Sequence, residues 1–282
     1  MIDHIQKIRD GQAHVEWAEL LMTHKGHQLK LSVMRDAMKF DAVPDMTWEQ
    51  NPKKLRSVNT LDGVRLATTA ETLQEIADLL YCSLLTPKIL DELWLEAGRT
   101  GTQLESVTRT NVIVANSYIH DVHRALEKAI KAAGGDRGGF IEAVGKYWVL
   151  CNTLINGTDG RGAPYGIKQA VNYAWFTRSK GKGRGVTNTS NVWQTIGSRH
   201  NCEHWDPSQV IRLMHRIAQL CRAGSETWED VDVCDIMLDN QLSYLISHEG
   251  PLKVTRMPCV PVPQATTLAD GTVQLPEQLI LG

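Results

Sequence analysis

One stretch decides whether the C-terminal half of this chain is helix or sheet: Ser208-Gln209-Val210-Ile211-Arg212-Leu213-Met214-His215-Arg216-Ile217-Ala218-Gln219-Leu220-Cys221. The apolar side chains that recur with a helical period are Val210, Leu213, Met214, Ile217, Leu220 and Cys221. A smaller set that includes Ile211, Leu213 and Ile217 fits the alternation of a strand less well. Because a short apolar run can satisfy both periods, periodicity alone leaves both structures open.

A dense polar cluster comes directly before this apolar stretch: Gly197-Ser198-Arg199-His200-Asn201-Cys202-Glu203-His204-Trp205-Asp206-Pro207. Hydrophobic patterning does not require such a concentration of imidazole, carboxylate, thiol and indole groups. Loops held by a rigid scaffold commonly carry the catalytic and binding residues of a protein. We therefore expect the functional site at this position.

The composition predicts a globular protein with a core of its own. The chain has 282 residues, of which 42% are hydrophobic and 22% charged, and we expect one compact domain. The net charge of −2 lacks the basic excess of a nucleic-acid surface, so no nucleic-acid partner is expected. No apolar run reaches the roughly 18 residues of a membrane span.

The N-terminus and the cysteines predict a cytoplasmic site of synthesis. Residues 1–7 carry charges where a signal peptide needs an apolar core. Release from the cell would therefore need another route, such as a lysis pore. The protein could instead be associated with a particle. The six cysteines are widely spaced and form no Cys-x-x-Cys pair. We expect them to be reduced and not to form a zinc knuckle.

The order of patterns along the chain predicts an α+β fold, with helices packed on a mixed or antiparallel sheet formed mainly by the C-terminal half. Helical spacing in residues 3–23 predicts amphipathic helices, whereas alternation from Gln28 predicts a strand. Thr68 or Thr69 is expected to cap one helix, and Thr86 followed by Pro87 another.

Later patterns divide the rest of the chain. A helical pattern covers 112–133, and strands are expected at 145–152, 167–176 and 192–196. We predict four segments. Residues 1–60 form an N-terminal helical and strand segment, and residues 61–135 a helical segment. Residues 136–250 form a sheet-rich segment with the site, and residues 251–282 an extended tail.

Two blocks of residues resemble an uncharacterised group of bacterial and prophage-borne proteins. The first block is Thr69-x-x-x-Leu73-Gln74-x-Ile76-Ala77-Asp78-x-Leu80-x-Cys82-x-Leu84-x-Thr86-Pro87-Lys88-x-x-Asp91-x-x-Trp94. The second comprises Tyr173-Ala174-Trp175, His200, Asp206-Pro207-Ser208 and Ile211-Arg212-Leu213. The chain departs from the group's pattern at Ala174, where the group has Gly, and at Pro207, where it has Tyr. The resemblance implies that residues 209–221 continue as a strand. It implies no mechanism, because the group has no established activity, although its members occur beside envelope-degrading functions in phage-like settings.

The residues of the polar cluster suggest a proton-transfer site. His200 would act as the base, Asp206 would orient it, Ser208 would be the nucleophile or position a water, and Arg212 would give electrostatic support, with Asp206 as its natural partner. The structural alternative is that Asp206 caps the next element and His200 is an ordinary loop histidine. A distant similarity to L,D-transpeptidases at Ser208 and Arg212 lacks the His and the nucleophilic Cys of that family, which excludes the same thiol mechanism.

A zinc site is the second chemical alternative. His200 and His204 have the spacing of two ligands on one helical face, with Glu203 or Asp206 as a third. The His-Glu-x-x-His order is absent, however, and Pro207 would end such a helix. A pair on the long predicted helix, His120 and His123, is a further possibility. We expect no cofactor, with zinc as the alternative.

Aromatic and basic residues suggest how a polymer would bind. Tyr173, Trp175 and Trp205 could line a cleft, since aromatic faces stack on sugars, although strand alternation would also bury many aromatic side chains. Lys146 could bind a carboxylate or a developing oxyanion. Taken with these residues, the resemblance implies a phage-related hydrolase of a cell-envelope polymer, with peptidoglycan as the expected substrate. The alternative is a non-enzymatic structural or binding protein, such as a phage particle component.

Overall fold

The computed structural model describes residues 2–47, 60–105, 118–156, 168–205, 207–267, 273–274, 276–279 and 281. Its architecture is α+β, which confirms the predicted class: helices pack against sheets in which most strand pairs are antiparallel. Buried apolar residues from the N-terminal strands to the tail belong to one contiguous core. Among the described helices, none is both long and apolar enough to cross a bilayer.

The described helices are α1 (His4–Arg9), α2 (Ala70–Leu79), α3 (Pro87–Arg99), α4 (Ile119–Ala132), α5 (Thr153–Asn156) and α6 (Val233–Leu238). The described strands are β1 (Ala13–His14), β2 (Trp17–His24), β3 (His27–Met34), β4 (Lys39–Phe40), β5 (Val43–Pro44), β6 (Thr60–Leu61), β7 (Val64–Arg65), β8 (Cys82–Leu84), β9 (Thr102–Gln103), β10 (Ile141–Glu142), β11 (Lys146–Trp148), β12 (Gln169–Thr177), β13 (Gly183–Arg184), β14 (Asn191–Asn201), β15 (Leu213–His215), β16 (Ile217–Cys221), β17 (Trp228–Asp232), β18 (Thr266–Thr267) and β19 (Val273–Gln274).

The largest sheet has β3 at its centre. Its order is β17-β16-β3-β15-β8, and β2 pairs with β3 as well. The C-terminal strands β15 and β16 both pair with β3, through Met214 opposite Val33 and Leu220 opposite Leu29. The decisive stretch is therefore two short strands, as the resemblance implied. Leu220 is buried and Ile217 is 42% exposed, which fits a strand with one face in the core.

A second sheet, ordered β11-β12-β14-β13, carries the candidate site. Its strands confirm those predicted at 145–152, 167–176 and 192–196. The pairing of β12 with β14 shifts register on both sides of Asn172, and Ala174 and Trp175 adopt positive φ angles of 89° and 65°. These irregularities bend β12 at the centre of the sheet.

Two helix starts follow the predicted chemistry. The Thr69 side chain accepts a hydrogen bond from the Thr72 amide and begins α2. The Thr86 side chain accepts one from the Ile89 amide and begins α3, with Pro87 at the first helical position. The helix predicted at 112–133 begins at Ile119 in the described residues, and its predicted positions 112–117 lie outside them.

The helices predicted throughout residues 3–23 are wrong. Only α1 forms, and β2 follows it, because Leu20 and Met22 are buried while Leu21 between them is 50% exposed. That alternation has the period of a strand, and pairing with β3 stabilises it.

The prediction that all cysteines are reduced is also wrong. Cys202 and Cys259 form a disulfide with a Cα–Cα distance of 6.5 Å across 57 residues of sequence. The tail folds back onto the body, burying Leu252 and Met257, and the Met257 amide donates a 2.8 Å hydrogen bond to Gln74 Oε1. Two cysteines far apart in sequence meet for this reason.

Candidate functional site

One row of side chains crosses the second sheet through Lys146. Lys146 lies opposite Ala174, and Ala174 lies opposite Gln194. On the other side of β11, Gln209 forms a parallel bridge with Lys146, supported by a 2.7 Å hydrogen bond from the Lys146 amide to the Ser208 carbonyl. Because residues directly opposite each other in a sheet share a face, Gln209, Lys146 and Gln194 lie on one face.

A second row lies on the same face, two residues along β11 and β12 and, because of the register shift, three residues along β14. Trp148 is opposite Asn172, which is opposite Gly197. A Cβ atom on Gly197 would lie 2.8 Å from Asn172 Oδ1 and 2.6 Å from Gln194 Nε2. Glycine at this position therefore keeps open the space that these two amide groups occupy.

The side-chain amides of Asn172 and Gln209, both buried on this face, lack hydrogen-bond partners among the described residues. Asn172 is 1% exposed and Gln209 is fully buried, and neither the oxygen nor the nitrogen of either side-chain amide has a partner within the described part of the chain. Each unsatisfied buried group costs about 1–3 kcal/mol. Such groups are rare in folded proteins, and they are satisfied where a ligand or an ordered water binds. The sequence does not single out either residue, because an amide in a buried strand belongs to no motif.

Lys146 and Trp175 lie together beside these amides. The Lys146 ammonium group is 5.4 Å from the centroid of the Trp175 ring, within the range of a cation–π interaction. The indole nitrogen of Trp175 is buried and has no hydrogen-bond partner among the described residues. Two of the four predicted substrate-binding residues thus lie together.

His200 and His204 form a stacked pair of imidazoles. Their ring centroids are 3.7 Å apart and their planes differ by 8°. The Trp148 ring meets both edge-on, at 6.3 and 6.4 Å, and its indole nitrogen donates a 2.9 Å hydrogen bond to the Thr68 carbonyl. The turn between the histidines is anchored by the disulfide of Cys202. These contacts fix both rings against the rest of the sheet.

This stacked geometry bears on the zinc alternative. The lone pair of an imidazole nitrogen lies in the plane of its ring, so two parallel rings do not direct their nitrogens at one tetrahedral ion. A zinc site at His200 and His204 would require one ring to turn. No group of three or more His, Cys, Asp or Glu side chains suited to a metal occurs among the described residues. In the other predicted pair, His120 is buried and its Nε2 contacts the Val43 carbonyl at 2.7 Å.

A groove of about 640 Å³ runs from this face along β14. Its lining comprises Asn172, Lys182 and the consecutive residues 193–200 of β14. His200 lies at one end of this run. The groove therefore joins one of the two unpartnered amides to one of the two stacked histidines.

The predicted triad is only partly described. Ser208 is buried, with 2% of its surface exposed, and it precedes Gln209 at the edge of β11. Asp206 lies outside the described residues. Catalysis by His200, Asp206 and Ser208 together stays a prediction.

Arg212 pairs with Glu142. Asp206, the partner that the sequence suggested, lies outside the described residues. The Nη1 of Arg212 donates a 2.7 Å hydrogen bond to Glu142 Oε2, and both side chains are fully buried. Its Nε and Nη2 donate to the carbonyls of Met34 and Arg35 at 2.7 and 2.6 Å. Burial raises the pKa of Glu142, although Arg212 acts in the opposite direction. Glu142 is the partner of Arg212 because β10 lies beside the segment before β15.

The remaining aromatic candidates lie elsewhere. Tyr173 is opposite Tyr147 on the other face of the sheet, where its hydroxyl donates a 2.6 Å hydrogen bond to the buried Asp91. Burial raises the pKa of Tyr173 far above its usual range, with Asp91 adding to the effect. Trp205 lines a different cavity of about 310 Å³, beside His4. The structure thus does not bring all the predicted substrate-binding residues into one cleft.

No family model matches the sequence, and neither the curated proteins nor the solved structures contain a significant match.

Proposed function

We propose that the protein is a phage-related hydrolase of a cell-envelope polymer, with peptidoglycan as the substrate, and that His200 is its acid–base group. The observation that supports this most directly is the position of His200 at one end of the groove along β14. An imidazole exchanges protons near neutral pH, so a histidine fixed beside a groove is suited to activate a water or a hydroxyl group.

The groups near His200 suggest which residues stabilise the developing charge, orient the imidazole and supply the nucleophile. Asn172 lines the groove with an unpartnered amide, whose nitrogen can donate a hydrogen bond to an oxygen that becomes negative during hydrolysis. The stacked ring of His204 holds His200 in place. In this proposal Asp206 orients the imidazole, and Ser208 acts as a nucleophile or positions the water.

The disulfide supports a working location outside the cytoplasm. Structural disulfides persist in oxidising compartments and are rare in the cytosol. The Cys202–Cys259 bond fixes the turn between the two histidines, so its formation after release would favour the geometry required at the site.

The test is an assay of polymer breakdown. Purified peptidoglycan sacculi are incubated with the wild type, with His200→Ala and with the control His14→Ala, which removes a histidine on β1. We expect soluble fragments from the wild type and the control, and a loss of at least 100-fold in rate for His200→Ala. Far-UV circular dichroism and thermal melting would show that each variant is folded. Equal rates for His200→Ala and the wild type, or no release by the wild type, would refute the proposal.

A non-enzymatic binding or structural protein is the second candidate. It is favoured by the buried networks of Arg212 and Tyr173, which use two of the predicted site residues to hold the core. If the protein is a binding or structural protein, the wild type should co-sediment with sacculi and release no soluble products. A metal assay and the effect of a chelator on the same sample test the zinc variant.

A further inference from the structure

The cavity beside His4 is lined by residues from the N-terminal segment, from the start of α2 and by Trp205. It has a volume of about 310 Å³. Ile2 and Ile5 line it from the N-terminal segment, and three threonines and Glu75 line it from α2 and the residues just before it. Among the described residues, this lining has no member in common with that of the groove along β14. The cavity is therefore a second candidate binding site.

The wall of this cavity carries negative charge. Asp3 and Glu75 contribute carboxylates, and none of the described lining residues is a lysine or an arginine. His4 also lines the cavity, but burial lowers its pKa to about 4, so its imidazole is uncharged at pH 7. The cavity should therefore attract a cation and repel an anion.

Glu75 is the carboxylate that is available to such a cation. The side chain of Asp3 is already used as the cap of α1. One turn after Glu75 on α2, Asp78 forms an ion pair with Arg256 at 2.8 Å. Glu75 is exposed, and no cation among the described residues forms an ion pair with it.

The surroundings of Glu75 disfavour its negative charge. Burial raises the pKa of Glu75, and the nearby carboxylates of Glu71, Asp78 and Asp3 raise it further. An opposite charge close to a carboxylate favours its ionised form. A bound cation would therefore offset this repulsion.

The rest of the wall suits an aliphatic chain that ends in an ammonium group. Ile2, Ile5 and Trp205 provide apolar surface, and an ammonium group within about 6 Å of an indole ring also gains a cation–π interaction. Thr68 lines the cavity too, and its buried hydroxyl has no hydrogen-bond partner among the described residues. Unsatisfied buried polar groups are rare in folded proteins, and a bound polar group commonly satisfies them. An ammonium group donates three hydrogen bonds and accepts none, so it complements carboxylate and hydroxyl oxygens.

We propose that this cavity binds an aliphatic primary ammonium ion. Its charged group pairs with Glu75, and its alkyl chain packs against Ile2, Ile5 and Trp205. The inference goes beyond the proposed hydrolysis, because it concerns a different cavity and a different class of ligand. Binding is measured without turnover, so the two proposals succeed or fail separately.

The binding test is isothermal titration calorimetry of the whole chain with hexylamine at pH 7 and low salt. The comparison ligands are hexanol, which keeps the alkyl chain without the charge, hexanoate, which reverses the charge, and methylamine, which keeps the charge without the chain. We expect hexylamine to bind about 10-fold or more tightly than each of the three. No binding of hexylamine, or equal or tighter binding of any comparison ligand, would overturn the proposal.

Variants of the protein locate the contact. Glu75→Gln keeps the shape of the side chain and removes its charge, so it should weaken hexylamine binding about 5-fold or more and leave hexanol binding unchanged. Trp205→Leu keeps an apolar side chain without the ring and should weaken hexylamine binding by about 2- to 5-fold.

The matched control is Glu226→Gln, which removes another exposed carboxylate in the turn before β17. It should bind hexylamine as the wild type does. Circular dichroism and thermal melting show that each variant is folded, and Glu75→Gln decides the outcome if Trp205→Leu is not, because Glu75 is exposed. Unchanged hexylamine affinity in Glu75→Gln, or an equal loss in Glu226→Gln, would overturn the inference.

Discussion

Replacing Arg212 by Met should destabilise the protein because it leaves a buried carboxylate without its cation. The guanidinium group donates hydrogen bonds to Glu142 and to the carbonyls of Met34, Arg35 and Ile141, all in the interior. Breaking a buried ion pair by removing one partner typically costs about 3–5 kcal/mol. We expect a loss of this size in the free energy of unfolding at pH 7.

The loss should depend on pH. Burial already raises the pKa of Glu142, and Arg212 lowers it, so removing Arg212 raises it further. A carboxyl group whose pKa is higher in the folded state binds its proton more tightly there. Its favourable contribution is complete below the pKa of the unfolded state and is lost as the pH rises through the folded pKa. Arg212→Met should therefore be less destabilised at pH 5 than at pH 7.

Urea unfolding followed by tryptophan fluorescence at both pH values measures this effect. The double variant Arg212→Met with Glu142→Gln should regain part of the stability at pH 7, because no charge is left buried. The control is Arg216→Met, whose ion pair with Asp232 is partly exposed and should contribute less than about 1 kcal/mol. A loss below about 1 kcal/mol for Arg212→Met, or an equal loss at both pH values, would refute the interpretation of Arg212 as a core residue.

Three further predictions concern the disulfide and two buried side chains. Replacing Cys202 and Cys259 by Ser should reduce the free energy of unfolding by up to about 4 kcal/mol, as expected for a loop of 57 residues, and a melting curve with and without reductant checks this. Asp91→Ala should cost at least about 2 kcal/mol in urea unfolding, because the hydroxyl of Tyr173 and the amide of Thr187 lose their acceptor. Burial lowers the pKa of His4 from 6.5 to about 4. The free energy of unfolding of the wild type should therefore fall by up to about 3 kcal/mol as the pH falls from 6.5 to about 4. In His4→Gln the free energy of unfolding should change less over the same pH range.

Capping residues in the sequence predicted the helix starts, which depend only on neighbouring residues. Thr69 and Thr86 begin helices because a side-chain oxygen satisfies the first free amides, which requires only neighbouring residues. The strand β2 was not predictable in this way, since its apolar residues also fit a helix and pairing with β3 decided between the two. The same holds for residues 208–221, where periodicity favoured a helix and only the resemblance indicated a strand.

Contacts between distant segments explain what the sequence could not predict about the site. His200 and His204 were recognisable as a cluster, but their stacking depends on Trp148 and on the disulfide. Glu142 was not recognisable as a partner of Arg212, because the two residues are 70 positions apart in sequence and meet only in the folded chain. No sequence pattern indicated Asn172, because its significance follows from a side-chain amide that has no hydrogen-bond partner among the described residues.

The central position of β3 has a consequence for how the protein is made. Residues up to Met34 leave the ribosome about 180 residues before Leu213, the first residue of β15, which pairs beside it. At typical rates of about 5–20 residues per second, the nascent β3 waits roughly 10 to 40 s for its C-terminal neighbours. During that interval one border of the β2–β3 hairpin is exposed to other nascent chains. Until β15 and β16 are made, the yield of folded protein therefore depends on how well this border is protected from pairing with other chains.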